Sequence, residues 1–143
     1  MPRVTASREL LASRDDVWQF IAEPRHFADW WPGIATVQPD RRGLAEGARW
    51  QVARGGEVGL LRRPESEGVL VITAVEPERR LVWRDIQQQF TAEILLEPGS
   101  DGTTRATLTI EASPWRAVLE GLRPLPRKAL ARLHALCQTA ATL

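Results

Sequence analysis

The sequence predicts an α+β fold in which an antiparallel sheet wraps around one long C-terminal helix. From Pro126 to Leu143 the apolar residues recur at intervals of three and four, which is the spacing of one helical face. From Gly33 to Ala112 the chain instead alternates apolar and polar residues in short runs, the pattern of half-buried strands. A first strand and two short helices precede this region, so the predicted order is strand, two helices, about six strands and a final helix.

The N-terminal part is predicted to form the first strand and a helical bracket that supports the sheet. Val4 to Leu11 has the composition of a strand. Ser13 stands in the N-cap position of the following helix, which has two acidic residues in its first turn. Pro24 ends this helix and begins a second one, which Pro32-Gly33 stops. The second helix carries three aromatic residues on one face: Phe27, Trp30 and Trp31.

The remaining strands follow from alternation and turn signals. Val69–Val75 is apolar on both faces apart from Thr73, so it should lie inside the sheet rather than at an edge. We place a bend at Ile86–Gln89, because the run from Leu81 to Leu96 is too long for one strand. The strands are therefore assigned to Ile34–Val37, Arg49–Arg54, Val69–Val75, Arg80–Asp85, Phe90–Glu97 and Thr104–Ala112.

Two helices bounded by prolines are predicted at the C-terminal end. Ser113-Pro114 begins a short one that carries Trp115, and the long one follows Pro126. The long helix has an apolar stripe that something must cover, and the sheet is the available partner. A curved sheet of this size leaves a cavity between its concave face and a single helix, and such cavities are common ligand sites.

Composition limits the function classes. We expect one globular domain, residues 1–143, with interspersed charges that sum to +1 and give no footprint for nucleic acid. No apolar run approaches the ~20 residues of a membrane span, and the N-terminus lacks a signal peptide's apolar core, so a cytoplasmic location is expected. One cysteine and two histidines predict no metal site. There is no Gly-rich phosphate loop, and no cofactor is expected.

Three polar side chains are candidates for chemistry. Asp85 and then Gln87 follow Trp83 in the strand alternation. Arg54 follows Trp50 in the same way. Asp85 and Arg54 either point inward as a pair that orients a ligand or lie in solvent at the strand ends. His134, at the edge of the helical stripe, is either a general base on the cavity wall or a boundary histidine, and the second is the more common case.

The six tryptophans are the most informative feature of the composition. Trp18 and one of Trp30 and Trp31 are expected to pin the helices to the sheet. Flat aromatic walls suit flat or apolar ligands, although a plain core role is more common for any single tryptophan. Cys137 is expected to act as a small hydrophobe in the helical stripe. The candidate ligand-binding residues are Trp50, Trp83, Gln87, Ile94, Leu108, Trp115, Leu133 and Cys137.

Several motifs resemble a known family. They are Val4–Leu10 through Ser13 to Trp18, Trp30-Trp31-Pro32-Gly33, Gly47–Trp50, Val75-Glu76-Pro77 with Leu81-Val82-Trp83, and Leu96-Glu97-Pro98 with Asp101-Gly102-Thr103. In order and spacing they resemble the START-like superfamily (SRPBCC, helix-grip fold), and most of all its small bacterial polyketide cyclase/dehydrase-like proteins. The resemblance implies a curved antiparallel sheet of about seven strands around a long C-terminal helix, with two short helices between the first and second strands.

Neither the residues nor the resemblance decides the activity, because fold does not fix function. The first hypothesis is a binder of a small hydrophobic or aromatic molecule, lipid- or polyketide-like. The second is an aromatase/cyclase-like enzyme in which Asp85, Arg54 or His134 positions an enol or enolate. The third is a protein-partner module that uses Gly55–Gly68, the segment with the weakest strand or helix pattern.

Overall fold

The computed structural model describes residues 3–54, 67–113 and 122–141. Within these ranges the chain forms seven strands and three α-helices, with 3-10 turns at Pro24–His26 and Ser100–Gly102. The elements in chain order are β1 (Arg3–Leu10), α1 (Arg14–Ile21), α2 (Phe27–Trp30), β2 (Ile34–Pro39), β3 (Arg49–Arg54), β4 (Glu67–Glu76), β5 (Arg80–Asp85), β6 (Phe90–Pro98), β7 (Thr104–Ala112) and α3 (Leu125–Ala141).

All seven strands belong to one curved, open antiparallel sheet with the order β1-β7-β6-β5-β4-β3-β2. β4 lies between β5 and β3, which confirms the interior position predicted from its apolar faces. The α+β class and the placement of two short helices between the first two strands are also confirmed. The helix predicted around Trp115 lies outside the described residues, as does most of the Gly55–Gly68 segment.

The alternation of apolar and polar residues gives β6 and β7 one apolar face. Ala92, Ile94 and Leu96 are buried on β6, in line with the apolar–polar alternation predicted for this strand. Their partners across the ladder are Ile110, Leu108 and Ala106, which are buried in the same way. The outer face is polar: the hydroxyl oxygens of Ser7 and Thr107 lie 2.9 Å apart between β1 and β7.

The two N-terminal helices close one end of the inner face. Ser13 caps α1, since its hydroxyl oxygen accepts a hydrogen bond from the Asp16 N–H at 3.2 Å. Val17, Trp18 and Ile21 of α1 are buried against the sheet. This agrees with the cap predicted for the first helix and with the expectation that Trp18 pins it to the sheet. β1 ends one residue before the predicted boundary, and Leu11 is 44% exposed because it lies beyond the strand.

α3 lies mainly against β1, with further contacts to β7 and α2. Ala129, Leu130 and Leu133 are completely or almost completely buried in its N-terminal half. Leu136 and Cys137, which belong to the same predicted stripe, are only partly buried. The helix therefore forms as predicted, but its apolar stripe becomes less buried toward the C-terminus.

Candidate functional site

An aromatic cluster occupies the inner face where α2 meets the sheet. We use this name for the rings of Phe27, Trp30, Trp31, Trp50, Trp83 and Phe90, none of which is more than 2% exposed. Phe27 lies at its centre: its ring centroid is 5.4 Å from that of Trp83 and 5.8 Å from that of Trp50, both in edge-to-face geometry. Trp31 packs on Trp83 with centroids 5.1 Å apart. The helical face predicted from spacing thus meets side chains from three strands.

The indole N–H groups of the cluster are not equivalent. Trp50 Nε1 donates a hydrogen bond to the Gly43 carbonyl oxygen at 2.7 Å. The Nε1 atoms of Trp30 and Trp83 are buried, and neither has a hydrogen-bond partner among the described residues. These two rings lie 6.0 Å apart and nearly perpendicular, at 89°. Ring faces are weak acceptors, so each buried donor carries a desolvation cost of ~1–3 kcal/mol.

Aliphatic side chains continue the inner face from the cluster toward α3. Ile94 on β6, Leu108 on β7 and Leu133 on α3 are each 0% exposed and belong to one continuous hydrophobic core. Trp50 and Trp83 belong to the same core, at its aromatic end. Five of the candidate ligand-binding residues therefore belong to one continuous hydrophobic core, whose inner-face side chains we call the apolar surface. Trp115 lies outside the described residues, so its position relative to this surface is open.

Asp85 is the last residue of β5 and is 1% exposed. Its Oδ1 atom accepts a hydrogen bond from the Gln88 N–H at 2.9 Å, and its carbonyl oxygen accepts one from the Gln89 N–H at 2.8 Å. The bend predicted at Ile86–Gln89 is confirmed, and the Asp85 carboxylate stabilises it. Of the two environments considered for Asp85, the structure shows the buried one.

Gln87 does not continue the strand face of Trp83 and Asp85. It lies in the turn after β5 and is exposed, because the strand ends at Asp85. The expectation that alternation carries Gln87 inward is therefore wrong. Arg54 is the last residue of β3, and its side chain lies outside the described part of the structure. The predicted pairing of Arg54 with Asp85 remains a prediction.

The remaining side chains that could take part in chemistry are those of His26, His134 and Cys137. His134 is partly buried on α3. His26 stacks on Phe20 with ring centroids 4.2 Å apart, and its Nδ1 atom lies 2.9 Å from the Phe20 carbonyl oxygen. Cys137 is a free thiol whose pKa is raised by burial and, to a lesser extent, by the negative charge of Asp16. A raised pKa lowers the thiolate population and so disfavours a nucleophilic role.

Across the described ranges, no group of three or more histidine, cysteine or acidic side chains is arranged to hold a metal ion. Among the same residues, no helix combines the length and the apolar character needed to cross a membrane.

One feature that the sequence reasoning missed lies at the sheet edge formed by β1. A groove of about 750 Å³ separates the beginning of β1 from the start of α3. Its described lining contains none of the predicted ligand-binding residues. The only signal in the sequence is a pair of arginines four residues apart around the start of α3, and this pair does not indicate which strand it faces. The described residues that line the groove are Arg3, Val4, Thr5, Ala6, Arg123, Pro124 and Arg127.

Solved structures share this architecture. Protein NE0264 from Nitrosomonas europaea is 21% identical and superposes with a TM-score of 0.77, over 99% of this chain and 97% of that one. Ms6760 from Mycobacterium smegmatis is 23% identical, with a TM-score of 0.72 over 96% of this chain and 92% of that one. DynU16, a protein of the dynemicin biosynthetic locus, is 18% identical, with a TM-score of 0.70 over 96% of this chain and 48% of its own. At these identities the likeness shows the fold alone.

No curated protein matches the sequence. Residues 1–138 match the profile of a family described as "Polyketide cyclase / dehydrase and lipid transport". This match covers nearly the whole chain and agrees with the sheet order and with the helices described above. It also confirms the resemblance to polyketide cyclase/dehydrase-like proteins of the SRPBCC type. The chain therefore belongs to the polyketide cyclase/dehydrase and lipid transport family.

Proposed function

We propose that the protein binds a small hydrophobic or aromatic molecule, lipid- or polyketide-like, between the concave face of the sheet and α3. The observation that carries this proposal is the continuous apolar surface that joins the aromatic cluster to Leu108 and Leu133. A ligand held among these side chains gains free energy by burying its own apolar area, and flat aromatic rings favour flat ligands. The family description, which includes lipid transport, supports the same class of ligand.

The roles of the polar candidates favour binding over catalysis. Asp85 stabilises a turn of its own chain, and its carboxylate already accepts a hydrogen bond there. The raised pKa of Cys137 makes this thiol a poor nucleophile at neutral pH. A general acid or base must be able to exchange its proton with a substrate, and a carboxylate that holds a turn is less free to do so. Binding needs only shape and apolar area.

The first test identifies the ligand. Native mass spectrometry of the protein purified from its own host, followed by denaturing release, would reveal a retained lipid or aromatic molecule. In parallel, a library of lipids and polycyclic aromatics is screened for an increase in melting temperature, since a ligand that binds only the folded state stabilises it by mass action. Absence of both a retained molecule and any shift across the library would contradict the proposal.

A matched pair of variants then tests the location. Leu133→Phe adds volume at a completely buried position of α3, whereas Leu136→Phe makes the same change one turn later at a partly buried one. Overpacking costs ~1–3 kcal/mol, so each variant is compared with its own unliganded melting temperature. We expect the ligand-induced shift to fall in L133F and to persist in L136F. Equal shifts in the two variants would place the ligand elsewhere.

A cyclase-like activity is the second candidate. The observations that favour it are the family description and a buried carboxylate, Asp85, on the same strand face as Trp83. In this hypothesis Asp85, Arg54 or His134 positions an enol or enolate of a poly-β-ketone. Asp85→Asn, Arg54→Ala and His134→Ala are assayed for turnover of a poly-β-ketone analogue. Unchanged turnover in all three would remove these assignments. The partner-module hypothesis stays a prediction, because residues 55–66 lie outside the described ranges.

A further inference from the structure

The groove between β1 and the start of α3 combines positive charge with an apolar wall. Among the described residues, its lining contains three arginines and no acidic side chain. From this combination we propose that the groove binds a small organic anion whose carboxylate or phosphate head lies on Arg123 and Arg127 and whose apolar body lies on Val4, Ala6 and Pro124. Within the described ranges the site shares no lining residue with the apolar surface, so the proposal does not depend on that function.

The three arginines of the groove differ in whether a carboxylate of the described chain is paired with them. The Nε atom of Arg3 lies 2.9 Å from a carboxylate oxygen of Glu111, its partner across the β1–β7 ladder, so this arginine is already paired. Arg123 and Arg127 are exposed, and neither makes an ion pair within the described part of the chain. Two like charges at one concavity repel each other unless an anion joins them. This pair therefore provides the positive charge available to a ligand.

The neighbouring sequence reinforces the positive potential. The first turn of α3 contains no acidic residue, although acids are the residues that helix dipoles favour there. Lys128 follows Arg127 directly and is also exposed. Guanidinium groups bind carboxylates and phosphates through paired N–H donors in a planar fork, so two arginines can hold one head group from two sides.

The other wall of the groove suits an apolar body. Val4 and Ala6 are partly buried, and they stand opposite Ile110 and Leu108, whose side chains belong to the core. These two side chains therefore lie on the inner side of β1. A volume of about 750 Å³ falls in the size range of small-molecule sites. The groove is large enough for a short acyl or aryl chain as well as its head group.

The probes are octanoate and octyl phosphate, with 1-octanol as the uncharged match. Binding to the full chain is followed by titration of the backbone amide NMR signals of Val4–Ala6 and by calorimetry. We expect octanoate or octyl phosphate to bind more tightly than 1-octanol. Since charge-assisted hydrogen bonds carry the head-group contact, we expect the double variant R123Q/R127Q to weaken the anion by about tenfold.

The control is R41Q/R132Q, which removes the same amount of charge at two exposed positions outside the described groove lining. We expect this control to bind the anion within about twofold of the unmodified protein, because exposed charges at a distance are screened by salt. Equal weakening in the two double variants would overturn the proposal, since it would indicate diffuse attraction rather than a site. Equal affinity for 1-octanol and the anions, or no binding of either anion, would overturn it as well.

Discussion

Trp50 and Trp83 allow a direct measurement of what an unpartnered indole N–H costs. Both side chains are 1% exposed and both pack edge-to-face on Phe27. Within the described residues only Trp50 donates a hydrogen bond, to the Gly43 carbonyl. Replacing either tryptophan with Phe exchanges the indole for a smaller phenyl ring and removes one N–H from the same cluster. The loss of packing should therefore be similar in W50F and W83F, and the hydrogen bond accounts for the difference between them.

The size of this difference follows from the two hydrogen-bonding states. W50F loses a bond worth ~1 kcal/mol, whereas W83F removes a buried donor whose desolvation costs at least ~1 kcal/mol. We therefore expect W50F to be the less stable variant by about 2 kcal/mol, which is roughly 6 °C in melting temperature for a chain of this size. Trp30→Phe should behave like W83F, since the Trp30 N–H is also unpartnered among the described residues.

Urea unfolding followed by far-UV circular dichroism measures the free energy of each variant without relying on tryptophan fluorescence, which the substitutions change. The slope of the unfolding free energy against urea concentration must be the same in all variants for the comparison to be valid. If W83F were as destabilised as W50F or more so, the Trp83 N–H would be stabilised where it lies. The perpendicular rings around it would then act as effective acceptors, contrary to the argument above.

Three further predictions concern the cap, an exposed carboxylate and the cysteine. Ser13→Ala removes the side-chain acceptor at the start of α1 and should cost ~1 kcal/mol in urea unfolding, while Ser13→Gly should cost only a few tenths. The pKa of Glu9 is lowered, chiefly by the hydroxyl donor of Thr103, so the stability that Glu9 contributes is present above its unfolded pKa and is lost as pH falls through the lower folded value. The stability difference between the unmodified protein and E9Q should therefore shrink on acidification below about pH 4.5, and a constant difference would contradict this assignment. Because burial raises the pKa of Cys137, its alkylation by iodoacetamide at pH 8 should be slower in the folded than in the urea-unfolded protein, and equal rates would contradict the described burial.

The fold could be predicted from the sequence because the residue patterns that indicate it extend over only a few positions. The alternation in β6 and β7, the proline and glycine turns and the stripe of α3 each act within a few residues, and each appears in the structure as predicted. The bend after Asp85 was also predictable, since it follows from a length limit on strands. The same rule, applied one step further, would have moved Gln87 from the strand face into the turn.

The candidate site was less accessible because it depends on contacts between distant elements. Spacing placed Phe27, Trp30 and Trp31 on one helical face, but it could not indicate that this face would meet Trp50 and Trp83. That contact is set by the curvature of the sheet and by the position of α2 across its end. The groove beside β1 is a similar case, since it joins residues more than a hundred positions apart in the chain.

The uneven cover on α3 shows why a periodic stripe predicts a helix better than it predicts burial. The helix is 17 residues long, roughly 25 Å, and its contacts are mainly with β1, whose described length is 8 residues. Leu133 lies under the sheet and α2 and is 0% exposed, whereas Leu136 and Cys137 one turn later are only partly buried. The described packing therefore buries only part of the apolar area of these two side chains. For the proposed function this means that substitutions at Leu133 probe the enclosed part of the surface, and substitutions at Leu136 probe its border.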